Sequence, residues 1–302
     1  MPLILQVAFN IIVPVLLITA IGYAFKRRFA PDGRTLSRAA YYVFSPALIL
    51  RGIADSTLQA GEIGRILALV FVLVLLLILI SKGLARLLRF DRTMETAFVL
   101  SALFINAGNY GLPVSEFAFG DAGLQRAIIF FVGTQLLQSS LGVFIASRGT
   151  ATLSRSITNV FSAPLPYAAL LGFAINRGLF ALPIPLHRVV DILADAAVPV
   201  MLLNLGLQLS RTLLQGRTSA LVLVSAVRLV ASPLIAFALM PLFGLSGVTQ
   251  QVVLVQAAMP TAVITTIVAA EYGSDTGFIS GAVLVTTLAS VLTLTILLAL
   301  IL

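Results

Sequence analysis

The chain contains no cysteine, a single histidine at 187, and charged residues at only 10% of its 302 positions. Without cysteine there is no disulfide, no thiolate nucleophile and no cysteine metal site, and His187 alone cannot build a zinc site. A GxxxxGK[ST] loop is missing, which excludes P-loop hydrolysis of a nucleotide as the energy source. An HExxH motif and a Ser/His/Asp set are missing too, so the chain is read as a non-enzyme with no cofactor. No nucleic-acid motif occurs, and the net charge of +8 is spread over the ends of apolar runs rather than gathered in a patch, so no nucleic-acid partner is expected. The first apolar run has no Lys or Arg before Lys26 and so lacks the basic region of a signal peptide; it is expected to be retained.

What is present is apolar: 60% of residues are hydrophobic and mean hydropathy is +1.10, whereas a soluble domain carries about 25% charged residues. This composition predicts an all-α polytopic membrane protein whose main partner is the lipid bilayer. With roughly 20 apolar residues per crossing, the chain accommodates about ten helices and no sizeable soluble domain. Apolar runs and their punctuators place spans near 3–25, 36–53, 63–88, 94–119, 124–147, 156–176, 188–210, 217–243, 249–272 and 276–301. One set of alternate loops holds Lys26, Arg27, Arg28, Arg34, Arg38, Lys82, Arg86, Arg89, Arg92, Arg148, Arg155, Arg211 and Arg217; the other holds Arg51, Arg65, Arg126, Arg177 and Arg188. By the positive-inside rule the richer set is cytoplasmic, which predicts a multi-pass protein of the inner (plasma) membrane with both termini extracytoplasmic.

The two halves of the chain echo each other. Pro14 and Pro166 are 152 residues apart, Pro46 and Pro199 are 153 apart, Gly120 and Gly273 are 153 apart, and Pro113 and Pro260 are 147 apart. EFAFGDAG at the end of span four resembles AAEYGSDTG at the end of span nine. Five spans per copy is an odd number, so the second copy enters from the opposite face. Residues 1–150 and 151–302 are therefore read as inverted repeats joined by a short loop from Arg148 to Arg155.

Spans four and nine are interrupted at corresponding places, the best sequence pointer to a midplane site. Span four carries FINAGNYGLPVSEFAFG from Phe104 to Gly120; span nine is broken at Met259, Pro260 and Thr261. Unwinding bares backbone groups, and a half-helix restarting after each proline would point its partly positive N-terminus into the gap, which favours an anion. The predicted substrate-binding residues are Asn109, Tyr110, Gly111, Pro113, Met259, Pro260 and Thr261, with Ser45 and Asn204 near the matching prolines of spans two and seven. Asn106 and Gln256 are expected as supports, and Gln135 and Gln138 as possible cavity liners whose commoner use is interhelical bonding. Among the acids, Asp55 follows span two, Asp191 and Asp195 share a face of span seven, and Glu116 follows Pro113. Glu116 and Asp195 read as the deepest and are candidates for proton coupling. Arg228, in the middle of span eight, is either the substrate's counter-charge or the partner of Asp195 or Asp191.

At these residues the chain resembles the auxin efflux carrier family, through NAGNYGLPVSEFAFG (106–120), QAAMPTAVITTIVAAEYGSD (256–275) and SPALILRGIADSTLQ (45–59). The resemblance implies a sodium/proton antiporter-like fold with crossed broken helices in spans four and nine, a substrate carboxylate near Asn109, Pro113 and Pro260, a support pocket at Asp55, and a homodimer. Met259 and Ser45 stand where the plant carriers have asparagines, and their long cytoplasmic loop is absent.

The reading is a secondary active transporter of small mono- or dicarboxylates, working by alternating access of elevator type, proton-coupled or uncoupled. Spans 3–5 and 8–10 would form the moving crossover bundle, and spans 1, 2, 6 and 7 the scaffold. The alternatives are a sodium-coupled organic anion symporter and a membrane ligand sensor that does not transport.

Overall fold

A computed structural model describes residues 2–147 and 162–302. The predicted repeat-joining loop from Arg148 to Arg155 and the start of the sixth span lie outside the described residues. Six described helices are long and apolar enough to cross a membrane: α1 (Leu3–Phe29), α3 (Ala60–Leu87), α5 (Ala107–Ala146), α7 (Ile184–Leu209), α8 (Thr218–Phe243) and α11 (Thr276–Ile301). Between them lie α2 (33–54), α4 (Arg92–Leu103), α6 (Pro164–Asn176), α9 (Gly247–Ala257) and α10 (Ile264–Glu271). Every predicted span range contains helix among the described residues, but 104–106 and 258–263 within spans four and nine are not helical, and α5 runs through the predicted turn between spans four and five, bending only at Gly120.

Outward faces carry large apolar side chains such as Phe9, Leu79 and Leu300, as expected where the surrounding solvent is hydrocarbon. The ends are punctuated by aspartates that satisfy first-turn amides. Asp32 accepts from Arg34 N, Asp91 from Thr93 N and Met94 N, and Asp275 from Phe278 N. The Arg34 amide, then the Thr35 hydroxyl, hold the Asp32 carboxyl below the usual carboxylate range.

The prolines do not break the helices that hold them. A five-residue π turn ends two residues before each of four of them: Ala8–Ile12 before Pro14, Ala40–Phe44 before Pro46, Ala107–Gly111 before Pro113, and Val227–Ala231 before Pro233. Proline lacks an N–H and its ring clashes with the carbonyl one turn back; a locally widened turn relieves the clash without leaving the helix. True changes of direction occur at glycines. Gly120 bends α5 at φ 62°, and Gly273, after α10, has φ 65°, both in the left-handed region that side-chain-bearing residues avoid.

Packing sorts the helices into two groups. In one, α7 packs on α1 and α2, and α6 on α2; in the other, α3, α4, α5, α8, α9 and α11 pack among themselves. The two are in contact where α5 meets α7, α2, α1 and α6, and where α1 meets α11. In the first group α1 and α7 meet backbone to backbone, since a Cβ added at Gly206 would lie 2.0 Å from the Thr19 carbonyl oxygen and one at Gly22 would lie 2.2 Å from that of Leu203. Small residues permit such approach in membranes. Gly206→Ala is therefore expected to force these helices apart at a cost of about 1–3 kcal/mol, read as a lowered unfolding midpoint in detergent. Gly61→Ala, at a glycine with open space around it, should leave the midpoint unchanged.

Candidate functional site at the crossed helix breaks

α4 stops at Leu103 because Phe104 turns to extended backbone (φ −80°, ψ 102°), and the chain does not become helical again until Ala107. α9 ends at Ala257 and helix resumes at Ile264. The two breaks cross and pair: Ile105 and Thr261 form an antiparallel bridge, the Asn106 N–H donates to the Pro260 carbonyl (2.9 Å), and the Ala262 N–H donates to the Phe104 carbonyl (2.8 Å). Bare backbone in a membrane interior survives only when satisfied in this way.

This geometry corrects the assignment of the first break. Pro113 lies inside α5, beyond its π turn, and not at the interruption, whereas Pro260 lies within the second interruption. Pro113 and Pro260 are thus not counterparts, which explains why their spacing of 147 departs from the 152 and 153 of the other pairs. Displaced by 153, residues 104–106 fall on 257–259, where α9 ends.

Arg228 sits at the heart of the crossing, fully buried. Its Nη1 donates to the Ala102 carbonyl (2.6 Å), Nη2 to the Ala257 carbonyl (2.6 Å) and to Ser232 Oγ (2.5 Å), and Nε to the Met259 carbonyl (3.1 Å). The expected pairing with Asp195 or Asp191 does not form. Asp195 holds Arg51 at 2.6 Å, and Asp191 holds His187 Nδ1 at 2.8 Å. A guanidinium offers five donors in a planar fork, which matches several carbonyls converging from two helix C-termini. Those C-termini carry partial negative charge, so the cation is compensated without a carboxylate.

The remaining carbonyls of the α4 terminus are also met. Thr261 Oγ1 donates to Ser101 O at 2.7 Å, and Gln138 Nε2 lies 3.5 Å from Leu103 O. The Thr261 N–H donates to Thr286 Oγ1 at 3.1 Å. Predicted as a substrate ligand, Thr261 is thus also a clasp between the breaks. Gln256 lies against Gly111, where an added Cβ would meet its Oε1 at 2.4 Å, and its Nε2 donates to Ser115 Oγ (3.1 Å). Gln256 Oε1 and Asn106 Nδ2 are buried with no protein partner. Asn106, Tyr110, Gly111, Pro113, Met259 and Pro260 are buried and Asn109 is half-buried, on a turn packed against α7.

The other predicted residues lie apart from this center. Ser45 Oγ donates to the Ala40 carbonyl within α2 (2.6 Å), whereas Asn204 Oδ1 accepts from Ser37 Oγ (2.8 Å) and so joins α7 to α2. Gln135 of α5 faces Tyr41 of α2. Asp195 is not among the deepest acids: its side chain is 73% exposed, because Arg51 draws it to the rim. Glu116 is half-buried, within the fields of Asp121, Arg51 and Asp195. Asp55 is exposed, and its backbone carbonyl faces Gln125 Nε2 at 3.5 Å. Sequence reasoning missed Ser232, Thr286, Ser115 and Gln125, since a lone hydroxyl or amide in an apolar run has no periodic signature.

The model of a family described as membrane transport protein matches residues 7–159 and 150–298. The chain is 29% identical over 293 residues to an uncharacterised transporter of Methanothermobacter thermautotrophicus, covering 94% of this chain and 95% of that one. It is 26% identical to a candidate malonate transporter of Rhizobium meliloti, over 84% of this chain and 70% of that one. With auxin efflux carrier component 3a of Oryza sativa the identity is 32% over 127 residues, 40% of this chain and 21% of that protein. A match to the family model along nearly its whole length places this chain in the membrane transport protein family, the family of the auxin efflux carriers.

Proposed function

We propose that this membrane transporter moves small organic anions, mono- or dicarboxylates, by alternating access at the crossed breaks. One observation carries the reading: Arg228 gathers the carbonyl ends of α4 and α9, while the turn starting at Ala107 and the helix starting at Ile264 begin with no side-chain cap. The negative ends of the dipoles are neutralised and the positive ends are left facing the crossing, so a carboxylate is the favored guest. Asn109, half-buried on the restarting turn, is the side chain assigned as its ligand. The name of the Rhizobium meliloti relative carries malonate, a dicarboxylate of this class.

In this reading the chain forms ten spans in two inverted repeats, with both termini extracytoplasmic. α1, α2, α6 and α7 serve as scaffold and homodimer contact, and the remaining helices move as the bundle. Bonds inside the bundle support its motion as a unit: Arg126 Nε meets Glu62 at 3.0 Å and Thr249 Oγ1 at 2.7 Å, tying α5, α3 and α9 together. A sodium-coupled version is favored by one feature, the partnerless Gln256 oxygen beside Ser115, because hard cations take oxygen ligands.

The deciding measurement is flux of labelled carboxylates into proteoliposomes under imposed proton or sodium gradients. Uptake of one or more of them is expected, with the effective gradient naming the ion. Binding without flux under every gradient would instead identify a sensor.

A further inference from the structure

A cavity of about 360 Å³ lies between the end of α3 and the start of α8; no residue discussed as a transport site lines it, and its far end, Ala226, is two residues from Arg228. Arg217 and Ser219 line it at one end, and Phe90, Val222, Leu223 and Ala226 supply an apolar wall. Along a helix the step from 217 to 226 covers about 13 Å, so the wall runs from a basic mouth toward the hydrocarbon. Val222 and, on the α3 side, Leu87 are strongly exposed, so the groove opens where lipid lies. The turn that supplies Phe90 carries Arg89 and is flanked by Arg86 at the end of α3 and Arg92 at the start of α4. No salt bridge joins these arginines or Arg217 to a carboxylate among the described residues. The nearby Asp91 is engaged in capping α4.

We propose that this groove is a binding site for one anionic phospholipid, with its phosphate on Arg217 and Ser219 and an acyl chain along Phe90, Val222, Leu223 and Ala226. Charge decides the headgroup: several unpaired arginines at the boundary of two apolar spans attract an anionic lipid and gain little from a zwitterionic one. The apolar wall decides for a lipid over a soluble anion, which would leave that wall uncovered. The site does not depend on the transport reading.

The test uses the whole protein purified in detergent and offered phosphatidylglycerol or phosphatidylcholine in mixed micelles, with retained lipid counted by native mass spectrometry. Phosphatidylglycerol should be retained preferentially and should raise the unfolding midpoint. Arg217→Gln is expected to cut its retention roughly fivefold, the worth of one basic residue at an anionic surface. Arg217→Lys should retain it, and Ala226→Trp should reduce it by filling the groove. The lipid-free midpoint and elution profile establish that each variant is folded; if Ala226→Trp is not, the two Arg217 variants carry the test. Equal retention of both lipids, unchanged retention in Arg217→Gln, or equally effective competition by glycerol phosphate would overturn the proposal.

Discussion

Replacing Arg228 by methionine is expected to abolish most folded protein. The side chain is fully buried, and its removal leaves the carbonyls of Ala102 and Met259 without their donor inside the membrane and Ala257 O with only Ser232 Oγ. Each unsatisfied buried carbonyl costs about 1–3 kcal/mol. Two together cost about 2–6 kcal/mol, a large share of a total stability of about 5–15 kcal/mol. Ser232 serves only Ala257 O, to which its hydroxyl already donates (2.7 Å). Arg228→Lys keeps the charge but not the fork, and one ammonium cannot meet carbonyls on two helices and in the second break, so an intermediate loss is expected. The measurement is the unfolding midpoint of detergent-purified protein together with the monodisperse fraction on size exclusion. A midpoint for Arg228→Met within a degree or two of the parent would show that the carbonyls find other donors.

The second large effect concerns transport. Asn109→Ala is expected to lower uptake of the preferred carboxylate at least tenfold, the equivalent of about 1.4 kcal/mol of lost substrate interaction. The unfolding midpoint should move little, because Asn109 is half-buried on a turn whose backbone pairs without its side chain. Glu116→Gln asks a different question. Glu116 stands on α5, in the field of the Arg51–Asp195 pair of α2 and α7. If it carries the coupling proton, the neutral variant should lose uptake driven by an inward proton gradient and keep exchange of labelled for unlabelled substrate. Uptake untouched by both substitutions, with every acid tested, would remove the crossing from consideration as the transport site.

How much could be read in advance differs from residue to residue. Gly120 and Gly273 were legible as a matched pair because both need a left-handed backbone, a local demand that only glycine meets without strain. Pro113 misled, because proline is commonly a breaker, yet a π turn absorbs it and the chain breaks earlier, at Phe104. Asp195 was misplaced because depth along a helix says nothing of facing: one side of α7 at that level turns toward Arg51 at the rim.

The amino-acid sequence by itself determined that this is a helical membrane transporter and that its helices are interrupted near Phe104 and near Pro260. Composition, apolar run length and the intolerance of helices for clustered Gly, Asn and Pro are local properties, readable one segment at a time. Only the tertiary structure decided which backbone lies across which break and what holds Arg228. The pairing of Ile105 with Thr261 and the bond from Arg228 to Ala102, 126 residues away, join separate apolar segments whose order in space no short-range pattern encodes. In a membrane the backbone must be satisfied internally, so those long-range partners, rather than local preference, set the shape of the site.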